Sequence, residues 1–486
     1  MTDVSIVMLW TDILLWILLV VFIFGIRSIR RSEQARKQWR KIFQSKIAMA
    51  AGLILSTYFA LAMLDSVHFR FIEQTTSVDY SAVEVEPWSL QALQQSFAEF
   101  TGNLVHDELH GKTLSLLDLG MQHLILSTER TYSAPFALTE YSTSIVYGEE
   151  GVQQQYKPLK YTGQHLQDGD TIGADVFLQT LYVFVFSLFA TLVFWLVHGY
   201  FRIKAFIFRR AGQKLEPLPW KTFYLTLFML IFALSWLYHL SNFYHVLGTD
   251  KVGQDVLYQS IKAIRTGVMI GLLTTLVMLP LALFLGISAG YFKGLVDDVI
   301  QYLYTTLNSI PGVLLIAAAV LVMQSILNTH NDWFGSTEER ADLRLLFLIL
   351  ILGITSWTGL CRLLRAETLK ISQVEYVSAA KAFGLGGFSI IRRHIMPNLM
   401  HLVLIALVLD FSGLVLAEAV LSYVGVGVDP TTPSWGNMIN QARLEMAREP
   451  MVWWSLLSAF GFMFVLVLAA NLFSDRVQWV LDPRAH

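Results

Sequence analysis

Cysteine is almost missing from this chain. Cys361 stands alone among 486 residues, so no intramolecular disulfide can form. Its place in an apolar run reads as an inert buried thiol. Charge is also scarce: Asp, Glu, Lys and Arg make up 15% of the residues, against about 25% in an ordinary soluble domain. With 55% hydrophobic residues and a mean hydropathy of +0.52, the composition is that of a membrane protein. Internal repeats and low-complexity runs are absent. So is a phosphate loop. Gly111-Lys112-Thr113 is a decoy, because the glycine required five residues earlier is His106. The amino terminus does not read as a cleavable signal: no basic region precedes the first apolar run, and no small-residue cleavage site follows it.

What the chain does have is long apolar runs. A spanning helix needs about 20 mostly apolar residues. Nine runs qualify, near 5–26, 47–65, 176–200, 222–245, 262–290, 300–325, 344–363, 399–422 and 451–473. Lysine and arginine bias orients them. The segment 27–46 carries about eight basic residues, the loop 201–221 is again basic, and Arg362, Arg365, Lys370, Lys381, Arg392 and Arg393 cluster after the seventh run. All three are expected on the cytoplasmic side. The amino terminus is then outside, and nine spans leave the carboxyl terminus inside.

Residues 66–175 form one large hydrophilic insert with roughly fifteen acidic and five basic residues, as expected of a translocated segment. SAVEVEP and STSIVYG read as strands, and WSLQALQQSFAEFTGNLV as an amphipathic helix. About 110 residues are enough for a small α+β core. His106, His110 and His123 lie there near Asp107 and Glu108. Such pairs are common on surface helices without metal, and no metal is expected.

The segment Glu375 to Asn398, EYVSAAKAFGLGGFSIIRRHIMPN, lies between two strongly apolar runs yet is polar, basic and punctuated by glycine. Two short helical patterns flank Gly384, Gly386 and Gly387, and Pro397 closes the second. Ala379, Ala380 and Ala382 leave the first helix open to close approach. Gly384 is expected to take a left-handed cap. This segment resembles the cytoplasmic coupling loop of ATP-binding-cassette importer permeases, whose pattern reads Glu-Ala-Ala, three residues, Gly, then Ile-x-Leu-Pro. Ala379, Ala380, Gly384 and Met396-Pro397 follow it; Ser378 stands for the Glu and His394 for the Ile. Further strings resemble permeases of dipeptide, oligopeptide and nickel importers: LGTDKVGQDVL (247–257), IKAIRTGVMIGL (261–272), LSYVGVGVDPTTPSWGNMI (421–439) and LDPR (481–484). The resemblance covers roughly 222–486.

The nine runs give an all-α polytopic membrane protein of about nine transmembrane helices with a small α+β insert, and the resemblance implies a permease core for the last six. A type I importer core of six spans (222–486, with its coupling loop at 366–398) follows a two-span extension (1–65), the extracytoplasmic insert (66–175) and a third extension span with a basic loop (176–221). It implies a bacterial inner-membrane subunit that is not itself an enzyme and has no cofactor of its own. ATP and Mg would be used by two ATP-binding subunits. A second homologous permease, an extracytoplasmic peptide-binding protein and membrane lipid are the other expected partners; nucleic acid is not. Short peptides are the expected cargo, with nickel, another small solute or an antimicrobial peptide as alternatives. Coupling to the ATPase is expected at Glu375, Ser378, Ala379, Ala380, Lys381, Gly384 and Pro397.

The remaining candidates carry two readings each. Asp410, near the middle of the eighth span, costs roughly 2.5–3.5 kcal/mol on insertion scales and must face protein or water. It lines a path for a peptide's amine end, or it makes a structural hydrogen bond; as an ion site it would instead mark a secondary transporter. Glu418 is turned about 80° from it on the same helix and is expected to border the same cavity or pack at the gate. Arg265 snorkels to the outer interface, or, as the resemblance implies, packs the gate or docks the binding protein. Asp12 either pairs with another helix or is reached by outer water. Asp250, Asp255, Trp435 and Asn437 are expected outside, where they receive the binding protein; Trp435 also reads as an interfacial anchor.

Overall fold

The computed structural model describes residues 2–73, 112–148, 151–166, 171–207, 218–330, 333–334 and 336–481. SAVEVEP, the 88–105 helix pattern, His106, His110, Gly111, part of the basic 201–221 loop and most of LDPR lie outside the described residues.

Nine helices among the described residues are long and apolar enough to cross a membrane. Each coincides with one of the nine runs, with shifted ends. The helices in chain order are α1 (Trp10–Arg31), α2 (Glu33–Gln44), α3 (Lys46–Asp65), α4 (Leu116–Gly120), α5 (Gln122–Leu126), α6 (Ile172–Ile207), α7 (Trp220–Leu240), α8 (Val256–Phe292), α9 (Leu295–Ser309), α10 (Gly312–Thr329), α11 (Thr337–Ile371), α12 (Glu375–Ala382), α13 (Gly387–Ile390), α14 (Met396–Tyr423), α15 (Trp435–Glu445) and α16 (Trp454–Leu481). A π-helical turn, Ile391–Ile395, joins α13 to α14.

Two boundaries correct the reading from hydropathy. Residues 5–9 do not open the first span. Thr2–Val7 forms a strand, β1, antiparallel to β2 (His68–Glu73), with Thr2 opposite Glu73 and Val7 opposite His68; β3 (Thr113–Ser115) pairs on the other edge of β2. The apolar residues of TDVSIV alternate with polar ones, which suits a strand. The run 300–325 is likewise not one span. Pro311 has no amide hydrogen to donate and disfavours helix at the residue before it. Ile310 is extended (φ −94°, ψ 131°), so α9 ends at Ser309 and the span begins at Gly312. STSIVYG forms a strand as expected, β4 (Ser144–Gly148), paired with β5 (Gly151–Gln155).

Helix α8 is the axis of the bundle. Its 37 residues start from Asp255, whose carboxylate accepts from the Leu257 and Tyr258 amides as an N-cap. Small residues let neighbours come close, the usual device for packing helices in lipid. A Cβ at Gly286 would lie 2.8 Å from the Cys361 carbonyl oxygen of α11, and one at Gly267 would lie 2.7 Å from the Trp435 ring. Helices α11, α14 and α16 surround α8, and α1 and α3 of the extension pack on the same group. The described insert packs partly on itself, around Phe69 and Leu114, and partly on the bundle, where Leu117, Met121 and Leu124 close over Leu257 of α8. The bundle thus has an insert end and, opposite it, a loop end carrying Glu375–Ile395.

Candidate functional site: a coupling element at one end and a sealed insert at the other

At the loop end, α12 is stopped by glycine. Phe383 is the C-cap and Gly384 follows at φ +77°. The Gly384 amide donates to the Lys381 carbonyl (3.0 Å) and the Leu385 amide to the Ala380 carbonyl (3.2 Å). Those two bonds are the Schellman pattern, which needs a residue at positive φ. Val377 and Ala380 face inward, into a cluster with Ile390, Ile395, Leu399 and Ile287. Ala380 was expected against an ATPase; the phase of the helix turns it into the body instead. Glu375, Ser378, Ala379, Lys381, Gly384 and Pro397 are exposed. Beside them stand two large apolar side chains that sequence reasoning did not single out, Phe383 (87% exposed) and Phe388 (77% exposed). Lys381 Nζ sits 4.9 Å from the Tyr291 ring centroid at the end of α8. Arg365 of α11 forks onto Asp297 of α9 (2.5 and 2.7 Å), and that hydrogen bond holds the Asp297 carboxyl below the usual carboxylate range. The element therefore presents an apolar and basic knob on a braced base.

At the insert end, three of the four residues expected to receive a binding protein are interior. Trp435 is 1% exposed and donates from Nε1 to the Ser260 carbonyl (3.1 Å). Asp255 caps α8 and accepts from His245 Nδ1 (2.7 Å). Asp250 folds its own loop, accepting from the Val252 and Gln254 amides (2.9 Å each). Half-buried Asn437 donates to the Asp429 and Thr432 carbonyls. These side chains build the loops, because a turn exposed to water still needs its amides and carbonyls paired. The insert lies directly on them. The Glu129 amide donates to the Gly253 carbonyl (2.9 Å), the Thr249 amide to Ser133 (3.1 Å), and the Tyr132 hydroxyl to Glu445 (3.2 Å). At Gly253 (φ +78°) a Cβ would collide with the Glu129 carbonyl oxygen, so only glycine admits this contact. His245 is buried between Asp255 and Glu129. Burial opposes its charged form, but the two carboxylates outweigh it and lift its pKa to about 9. Burial likewise works against the Glu129 carboxylate, yet bonds from His245 and the Lys160 and Tyr161 amides bring its pKa down.

Within the bundle, Asp12 and Arg265 meet. Arg265 donates to Asp12 (2.6 Å) and to Thr11 Oγ1 (3.2 Å), with Asp342 3.9 Å away; His68 Nδ1 donates to Asp12 (2.8 Å). Thr11 also bonds Asp342. Arg265 is thus not a free snorkelling cation. It is bound to the extension. One turn earlier on α8, Lys262 reaches Asp65 (2.7 Å) and Asp118 (2.9 Å). Sequence reasoning missed this second fastening, although Lys262 and Arg265, i and i+3 in an apolar helix, signalled a need for anions.

Glu418 is enclosed (2% exposed) and accepts from Ser422 (2.7 Å), with Gly436 of α15 packed against its Oε1. Asp410 is half-buried, has no hydrogen-bond partner among the described residues, and borders an exposed stripe of Leu409, Gly413, Leu416 and Val420. Nothing lies within 4 Å of a Cβ built at Gly413, so that stripe is open. His123, expected with the acidic insert, bonds Ser241 instead (2.8 Å).

A family model described as binding-protein-dependent transport system inner membrane component matches residues 282–486. The dipeptide transport system permease protein DppC of Bacillus subtilis is 28% identical over 240 residues, 49% of this chain and 69% of the relative. The glutathione transport system permease protein GsiD of Pectobacterium atrosepticum is 29% identical over 49% of this chain and 73% of its own length. The oligopeptide transport system permease protein OppC of Lactococcus lactis subsp. cremoris is 32% identical over 242 residues, 49% of this chain and 76% of the relative.

Proposed function

This chain belongs to the binding-protein-dependent transport system inner membrane component family, and from that premise we propose that it is the permease subunit that moves short peptides in an ATP-driven importer. The carrying observation is the braced knob at the loop end. A helix stopped by a Schellman glycine, with Phe383 and Phe388 held out in solvent, is built to enter a groove on another protein. That groove belongs to an ATPase subunit, which supplies ATP and Mg chemistry this chain lacks. Glu375, Ser378, Ala379, Lys381 and Gly384 form the contact with those two aromatics, while Ala380 and Val377 transmit the push into α8 and α14. In this reading the loop end is cytoplasmic and the insert end extracytoplasmic.

Asp410 is the polar lining of the path. Its open stripe faces the second permease subunit, and a carboxylate there suits a peptide's ammonium end. A peptide-binding protein delivers cargo at the insert end, where the insert covers the loops of the core. The test is co-purification in mild detergent. An ATPase subunit accompanies the wild type and is lost from Gly384→Pro, because proline cannot adopt φ +77°. An intact wild type that never brings an ATPase with it would sink the assignment.

A further inference from the structure

Helix α2 is confined to the membrane surface by its neighbours: α1 before it and α3 after it are both spans, and Ser32 and Ser45 are the only residues between. Its two faces differ in kind. At 100° per residue, Arg36, Lys37, Arg40 and Lys41 fall within one sector of about 140°. Trp39, Ile42 and Phe43 fall on the other side. That apolar side is occupied: Ile42 is buried with Val477 and Val480 of α16, and Phe43 lies 6.0 Å from the Phe473 ring. Arg40 is half-buried, but the rest of the basic side is open. Arg36, Lys37 and Lys41 are exposed, as are Arg27, Arg30 and Arg31 at the end of α1 and Lys46 at the start of α3. The one acid among them, Glu33, takes up Lys37 (2.8 Å).

We propose that this face is a binding site for anionic phospholipid headgroups. The argument is position and charge together. The helix lies at headgroup depth because both its ends enter the bilayer, its apolar face is already used within the protein, and seven exposed cations surround one carboxylate. Phosphate oxygens are the acceptors that arginine forks and lysine ammonium groups satisfy there, and an anionic membrane surface attracts such basic clusters. The site would hold lipid at the seam where the extension meets the carboxyl-terminal helix of the core.

The test uses the full-length chain reconstituted in phosphatidylcholine vesicles with a minor share of phosphatidylglycerol, re-extracted in mild detergent, and its retained lipids counted by mass spectrometry. The expected result is phosphatidylglycerol retained severalfold above its share in the vesicle. Arg36→Gln, Lys37→Gln and Lys41→Gln together should bring retention down to that share, and Glu33→Gln should raise it. Retention should fall at high salt, since the Debye length shrinks from about 10 Å at 0.1 M to about 3 Å at 1 M. No enrichment in the wild type, or equal enrichment in the triple variant, overturns the proposal. A triple variant that keeps its lipid but loses a co-purifying protein also overturns it and assigns the face to that protein. Should the triple variant fail to fold, Glu33→Gln decides alone: no rise in retention refutes the site.

Discussion

Arg265 shows how much one side chain can carry in a membrane helix. Removing one member of a buried pair leaves the other charge uncompensated, at about 3–5 kcal/mol. Asp12→Asn and Arg265→Gln should therefore each lower the thermal stability of the detergent-solubilised chain strongly. The double variant should recover part of that loss, and a melting-temperature cycle reads the difference. Losses that simply add would mean that the two groups are not coupled. His245 gives a pH dependence. Its folded pKa of about 9 lies above the ordinary value of 6.5. Its stabilisation is thus fully present below about pH 6.5 and is lost as pH rises through about 9. Hydrogen exchange in residues 129–133 should quicken across that window, and His245→Gln should flatten the response. The sequence disclosed little of this. Asp12 and Arg265 stood out as charges in apolar runs, but their partnership spans 253 residues. His245 and Glu129 gave no local sign at all.

Among elements, the backbone of Glu375–Asn398 was the most legible, because its signals are local. Glycine after a helix, alanines within it and proline beyond it act over a few residues, and Gly384 has the left-handed cap that pattern demands. What the pattern could not give was phase: three alanines look alike until the helix is docked, and then Ala379 faces out while Ala380 faces in. Replacing Gly384 by alanine should strain the cap by about 1 kcal/mol, since a Cβ disfavours the left-handed region. Space is not the obstacle, as nothing lies within 4 Å of a Cβ there. The expected outcome is a permease that still assembles but stimulates ATP hydrolysis less. Phe383→Ala with Phe388→Ala should weaken ATPase co-purification without lowering the melting temperature, because neither side chain is packed within the chain. A drop in melting temperature would show them to be structural. The misplaced sixth span has the opposite lesson. Hydropathy is an average over a window, and a single Pro311 inside that window divides it.

At the scale of the whole molecule, the extension is fastened to the core rather than appended to it. Two cations one turn apart on α8 take their carboxylates from Asp12, Asp65 and Asp118, all supplied by residues 1–175. A chain beginning near 222 would strand Lys262, and would leave Arg265 with only Asp342 at 3.9 Å. Such a truncated core should fail to accumulate in membranes, whereas the same truncation carrying Lys262→Met and Arg265→Met should accumulate better. Equal accumulation of the two would show that the fastenings are dispensable. Nine apolar runs were readable from composition, and nine helices among the described residues match them, since lipid demands such a run of every spanning segment. The attachment of the extension was not, because it depends on pairs brought together only by the finished fold.

Those same pairs set an order for biosynthesis. Asp12 and Asp65 leave the ribosome long before Lys262 and Arg265 are made. During that interval the nascent chain carries span-borne carboxylates without the two cations of α8, and the arrival of α8 at the insertion machinery is the moment at which those ion pairs can form.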